Sequence, residues 1–131
     1  MSDAERTERV TSLTPMLVAK DLPATIAFYR DLLGFTVRST WPAEGTPTWC
    51  HVVHGGAELM FVTGEDAGFW SQPPKVSGVL YLHVDDLDAL HTRLRDQAKI
   101  LWGPEPTDYG MREFAIEDVN GYVLSFGEPQ K

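Results

Sequence analysis

One cysteine, Cys50, occurs in 131 residues, so no disulfide can form within the chain, and a reducing, cytoplasmic setting is expected. Cys50 has two readings, a small buried apolar residue or a reactive thiol. Long apolar runs are also missing. The longest, such as 79–84, are strand-sized and far below the about 20 residues that span a bilayer, so no membrane partner is expected. The opening segment MSDAERTERVTS is polar with mixed charge and lacks an apolar stretch, so residues 1–12 are expected to form a loose arm rather than a secretion signal. Basic residues are scarce, with 11 Lys and Arg against 19 Asp and Glu for a net charge of −8. That sign argues against nucleic acid as a partner and leaves room for a cationic ligand.

What remains is ordinary globular composition, 43% hydrophobic and 23% charged, in a length that suits one compact unit. Residues 16–20 are strand-like and lead into DLPATIAFYRDLLGF, where Leu22, Ile26, Tyr29 and Leu33 recur along one helical face. Asp21 is placed to cap that helix, Pro23 falls in its first turn and Gly34 ends it. Strand candidates follow at 35–41, 48–53 and 57–63, separated by the turn-rich PAEGTP and HGG. After a Gly-, Pro- and Ser-containing segment at 64–78 the pattern restarts. Residues 79–84 read as a strand, and DDLDALHTRLRDQ puts Leu87, Leu90 and Leu94 on one helical face behind an Asp85 or Asp86 cap. Further strands are expected at 99–102, 112–116 and 122–126, the last two joined by DVNG.

Each half therefore reads β-α-β-β-β, and the halves superpose at one offset: 86 − 21 = 65. The same shift pairs Leu17 with Leu82, Ala24 with Ala89, Gly56 with Gly121, Leu59 with Leu124 and Phe61 with Phe126. Neither copy is large enough to bury a sheet face alone, so the two should pack as a pair.

The repeat, the DL opening each helix, LGF ending the first, and the segments TPMLVAKDLPATIAFYRDLLGF and YGMREFAIEDVNGYVLSFGE resemble the vicinal oxygen chelate superfamily. This group contains glyoxalase I, extradiol dioxygenases, fosfomycin-resistance enzymes and bleomycin-resistance proteins, and this sequence looks most like the bleomycin-resistance branch. The resemblance implies an α+β fold, with tandem βαβββ units curling a mixed sheet into a cup. It implies a single domain over 13–128, its repeats at 13–63 and 79–128 joined by a linker at 64–78. It also implies a homodimer with paired sites at the subunit interface.

In metal-dependent members of this superfamily, ligands sit on the first and last strand of each unit. Here the matching positions hold Thr14 and Val79 on the first strands and Met60 and Ser125 on the last, a set unsuited to a divalent ion. No metal or other cofactor is expected. A two-residue slip would bring Glu58 into place of Met60, and a different constellation from His51, Glu58, His83 and Glu113 is conceivable, so a divalent metal ion is the alternative. His54 and His91 read as solvent-facing.

Alternation sends Leu80, Leu82 and Val84 toward the helix and Val79, Tyr81 and His83 toward the cup. The same logic turns Glu58, Met60 and Val62 inward with Thr14, Met16 and Val18, and Val123 with Ser125. Trp41, Trp49, Trp102 and Tyr109 are expected to rim the cup, each with ordinary packing as the alternative. The offset of 65 pairs Trp49 with Phe114 and places Cys50, Ala115 and Glu113 inward. Arg112 is expected to pair with an acid on the outer face, and Phe69 and Trp70 are candidates for a flap over the entrance.

The candidate ligand site is thus Met16, Trp41, Trp49, Glu58, Met60, Tyr81, His83, Trp102, Tyr109 and Glu113, an apolar surface with a few polar handles. The expected function is sequestration of a small aromatic or cationic molecule, an antibiotic among the candidates, without metal or catalysis. The alternatives are a metal-dependent lyase, isomerase or dioxygenase, and metal-free catalysis with His83 or Glu58 as the base.

Overall fold

A computed structural model describes the chain at residue 8 and over residues 10–63 and 72–131. Much of the expected arm and linker, with the flap candidates Phe69 and Trp70, lies outside the described residues.

The first half runs β1 (Met16–Val18), α1 (Leu22–Ala27), β2 (Thr36–Trp41), β3 (Trp49–His54) and β4 (Ala57–Val62). The second repeats it with β5 (Leu80–His83), α2 (Leu87–Leu94), β6 (Lys99–Pro106), β7 (Met111–Glu117) and β8 (Val123–Pro129). Each half folds one open, four-stranded mixed sheet, ordered β1-β4-β3-β2 and β5-β8-β7-β6. The first strand of each lies parallel to the last, and the other neighbours are antiparallel. A parallel pair requires a crossover connection, which is where each half places its helix. The architecture is α+β, as expected.

The helices start where the sequence signals a cap. Asp21 Oδ1 accepts the Ala24 N–H at 3.0 Å and Asp86 Oδ1 accepts that of Ala89 at 3.1 Å, which settles the second cap on Asp86. α1 continues through a π-helical turn at Phe28–Leu32, and the wider turn keeps both Tyr29 and Leu33 buried. Leu22, Ile26, Tyr29 and Leu33 from the first helical region join Leu87 and Leu94 from α2 in a single core fed by both sheets.

Both halves also meet at the DVNG turn. Asp118 Oδ1 accepts the N–H groups of Asn120 and Tyr122, each at 2.8 Å, while its Oδ2 accepts the Tyr29 hydroxyl at 2.7 Å. Asn120 accepts the Lys20 N–H and donates to Thr25 Oγ1, and the Tyr122 hydroxyl donates to the Val18 carbonyl. Burial and the adjacent Asp118 raise the Tyr29 hydroxyl well above the usual tyrosine range.

Three expectations need correction. Cys50 does not face the cup: it is fully buried opposite Phe61, as Phe114 is opposite Phe126. The offset on these strands is therefore 114 − 50 = 64, one less than on the helices and last strands, because the β3–β4 turn is shorter than its counterpart. Burial pushes the Cys50 thiol up to about 11, so it is a core residue rather than a reactive one. His91 is not solvent-facing; its ring is half-buried at 5.2 Å, edge-on to Phe114. β6 runs on to Pro106 rather than ending at 102, because Gly103, at φ +78°, lies over the β7 backbone where a Cβ would come within 2.2 Å of the Glu113 carbonyl. Among the described residues no helix is long and apolar enough to cross a membrane.

Candidate ligand-binding site

One face of each sheet enters the common core, and strand alternation leaves the other face open. In the first half, Leu59 and Phe61 of β4 and Cys50 and Val52 of β3 are buried, so Glu58, Met60 and Val62 share the open face with Trp49 and His51. The ladder sets Met16 beside Met60, His51 opposite Met60, and Trp41 opposite Trp49. A bulge between Val37 and Ser39 leaves Arg38 as the extra residue of β2. The result is a polar knot beside two thioethers: Glu58 Oε1 lies 2.8 Å from His51 Nε2 and accepts from Arg38 Nη1 at 3.3 Å.

In the second half Phe114 and Ile116 are core, and β7 turns Glu113 and Ala115 the other way. Tyr81 lies beside Ser125, His83 beside Gly127, and Trp102 opposite Ala115. Gly127 also stands opposite Glu113. It has to be glycine, because a Cβ there would lie 1.9 Å from the Tyr81 hydroxyl oxygen. Laid across that gap, Tyr81 donates its hydroxyl to Glu113 Oε2 at 2.7 Å, and Tyr109 donates to the same oxygen at 2.7 Å. The His83 ring meets Tyr81 edge-on at 5.1 Å. Burial first, and then the hydrogen bond to Glu113, push Tyr81 up to about 12. For Tyr109 the bond to Glu113 is the leading cause of an upward shift.

The ten candidates therefore fall into two groups on two sheets: Met16, Trp41, Trp49, Glu58 and Met60 on one, and Tyr81, His83, Trp102, Tyr109 and Glu113 on the other. Among the described residues no hydrogen bond, ion pair or ring contact joins the groups. Arg112 points away and pairs with Asp88 at 2.8 Å, as expected.

The superfamily's metal positions do not fit a divalent ion. The ladder puts Met16 beside Met60 and Tyr81 beside Ser125, with Thr14 and Val79 two residues earlier, so the donors are thioethers and hydroxyls. Glu58 is near Met60 on the same face, but the Arg38 guanidinium already occupies the oxygen that His51 shares. Among the described residues no three His, Cys, Asp or Glu side chains could hold a metal ion together.

A cavity lies elsewhere among the described residues. A cleft of about 850 Å³ runs between the β3–β4 turn (His54 to Ala57) and the end of β5 with α2, and of the ten candidates only Tyr81 and His83 line it. Its walls carry Asp85, Asp86, His54 and Arg93, a mixed set without a convergent polar group. The open sheet faces, which carry the carboxylates, hydroxyls and indoles in two groups, are the better candidate.

Sequence reasoning missed Arg38, Glu105 and Gly127. Glu105 stands directly opposite Glu113 on the same side of the sheet. A signal existed for Gly127, since an isolated glycine within a strand pattern marks a close approach. None existed for Arg38, whose reach depends on a bulge.

The model of the Glyoxalase/Bleomycin resistance protein/Dioxygenase superfamily matches residues 10–126. No curated protein matches. Among solved structures, TioX from Micromonospora sp. ML1 superposes with a TM-score of 0.74 at 20% identity, over 92% of this chain and 99% of that one. TnmS3, an antibiotic binding protein from Streptomyces sp. CB03234, gives 0.74 at 24% identity, over 95% of this chain and 100% of that one. The bleomycin-binding protein from bleomycin-producing Streptomyces verticillus, complexed with copper(II)-bleomycin, gives 0.64 at 24% identity, over 92% of this chain and 97% of that one. These likenesses fall on the same two-sheet architecture, and the family match spans both repeats: the chain belongs to the glyoxalase/bleomycin resistance protein/dioxygenase superfamily.

Proposed function

We propose that the protein sequesters a small, flat aromatic molecule on its open sheet faces, without a metal and without chemical change. The observation that carries this reading is the second sheet, where Trp102, Tyr81 and Tyr109 stand exposed around a buried carboxylate rather than closing into core. Exposed rings held in place by hydrogen bonds give large contact area at little entropic cost. Met16, Met60 and Trp49 supply an adaptable apolar surface on the first sheet. The donor set at the superfamily's metal positions favours binding over metal chemistry. The neighbours TnmS3 and the bleomycin-binding protein suggest an antibiotic as the occupant.

Two open faces in one chain are the expected complement of two more in a second copy. A two-fold homodimer that sets the first sheet of one protomer against the second sheet of its partner would cover both and make two equal sites. A reducing cytoplasm suits the single buried thiol of Cys50.

Acridine, a neutral planar probe, tests the reading by tryptophan fluorescence on protein treated with EDTA. Saturable quenching is expected, and Trp102→Ala should weaken it about tenfold with little change in thermal midpoint. No saturation, or an unfolded Trp102→Ala protein, would contradict it, and a monomer by light scattering at micromolar concentration would remove the shared-site arrangement.

A further inference from the structure

Glu113 is only 6% exposed, yet no Lys or Arg among the described residues pairs with it. Its Oε2 is taken by two tyrosine hydroxyls, each 2.7 Å away, short enough for charge-assisted bonds. Those hydroxyl hydrogens are committed to the carboxylate, so the two phenolic oxygens offer the open face only lone pairs. Glu113 Oε1 accepts no hydrogen bond from the described residues, and it is not sealed away, since no buried side-chain oxygen there lacks a partner. Glu105 adds a second carboxylate directly across the ladder, an arrangement that costs stability unless something positive lies nearby. The site therefore presents acceptors to an approaching group, and none of the side chains bonded to Glu113 has a hydrogen left to donate.

We propose that Tyr81, Tyr109 and Glu113 form an anchor for a protonated nitrogen, an amine or amidine carried on a flat aromatic ligand whose rings lie toward Trp102 and His83. This rests on the aromatic-ligand reading above and adds the charge and polarity of the ligand to it. A neutral ligand with only acceptors would face like dipoles and would leave Glu113 without a counterion. Gly127 is part of the anchor, because any side chain there would push Tyr81 off the carboxylate.

The test is a matched pair of probes at about pH 7.5, 9-aminoacridine as a planar cation and acridine as its neutral counterpart, titrated by tryptophan fluorescence. The native protein should bind 9-aminoacridine about tenfold more tightly or better. Glu113→Gln should abolish that preference and leave acridine affinity within about twofold. Asp96→Asn removes one exposed charge away from the site and should leave the preference intact, which separates the anchor from the overall charge of −8. Tyr109→Phe, at a well-exposed ring, should reduce the preference severalfold without moving the thermal midpoint, and it decides the matter if Glu113→Gln does not fold. Equal affinity for the two probes, or a preference that survives Glu113→Gln and Tyr109→Phe or falls equally with Asp96→Asn, would overturn the anchor. The aromatic reading would then still stand provided acridine binding needs Trp102. Binding of neither probe would overturn both.

Discussion

The two halves of the chain have one topology and two different open faces. Their helices, caps and outer parallel strands keep the same offset, so Leu22 and Leu87 or Phe61 and Phe126 do the same packing. Away from the core they part. The first sheet sets thioethers and Trp49 beside a knot in which Arg38 compensates Glu58. The second sets tyrosines and Trp102 around Glu113 and Glu105, with no Lys or Arg among the described residues paired to either. Packing constrains one side of each sheet and leaves the other free to diverge. In the proposed homodimer, that divergence would set one soft, compensated wall against one electronegative wall.

Phe114 and Cys50 occupy equivalent core positions of the two halves. Phe114→Ala should cost about 3–5 kcal/mol in urea unfolding, while Cys50→Ala, which removes one small atom from the matching site, should cost about 1 kcal/mol. A Cys50→Ala protein as stable as the native one would mean that Cys50 does not pack in the core. The turns differ next. Asp118→Ala strands three donors, the N–H groups of Asn120 and Tyr122 and the Tyr29 hydroxyl, and should cost about 3 kcal/mol. In the other half Gly55, at φ +55°, accepts no such load, and Gly55→Ala should cost about 1 kcal/mol.

The smallest effect is in pH. Tyr29 keeps its proton in the folded state well above the ordinary value of 10.0. Between that value and the raised one the unfolded chain binds fewer protons than the folded chain, so stability is full below about pH 10 and falls as pH rises. Tyr29→Phe should flatten that alkaline decline, measured by urea unfolding at stepped pH, and an unchanged slope would remove Tyr29 as its source. The second half has Leu94 at the matching place, and its own raised tyrosines lie elsewhere, Tyr81 and Tyr109 at Glu113 and Tyr122 near Asp118, so part of the decline should survive Tyr29→Phe.

Much of this was legible in the sequence because periodicity and caps are local. Asp21 and the leucine faces of both helices follow from spacing alone, which left the second cap between Asp85 and Asp86, and alternation likewise turns Glu58, Met60, Tyr81 and His83 away from the core. What failed was register across an uneven turn: one residue fewer in the β3–β4 connection moved Cys50 from the expected cup into the core. The open-face geometry depends on two further long-range facts, the bulge that frees Arg38 and the glycine that lets Tyr81 reach Glu113. Neither can be read from nearest neighbours. The family, by contrast, was legible in the repeat and its DL, LGF and YGMREF segments, although identity to TioX, TnmS3 and the bleomycin-binding protein is only 20–24%.

The open faces are proposed to bind an aromatic molecule without a metal. The direct measurement is a calorimetric titration of EDTA-treated protein with acridine, repeated after addition of Mn, Fe, Co, Ni or Zn ions, with the bound metal quantified per chain. Saturable binding by the metal-stripped protein, unchanged by any ion, is the predicted result. Binding that appears only once near-stoichiometric metal is present would contradict the account and make metal-dependent chemistry the better reading.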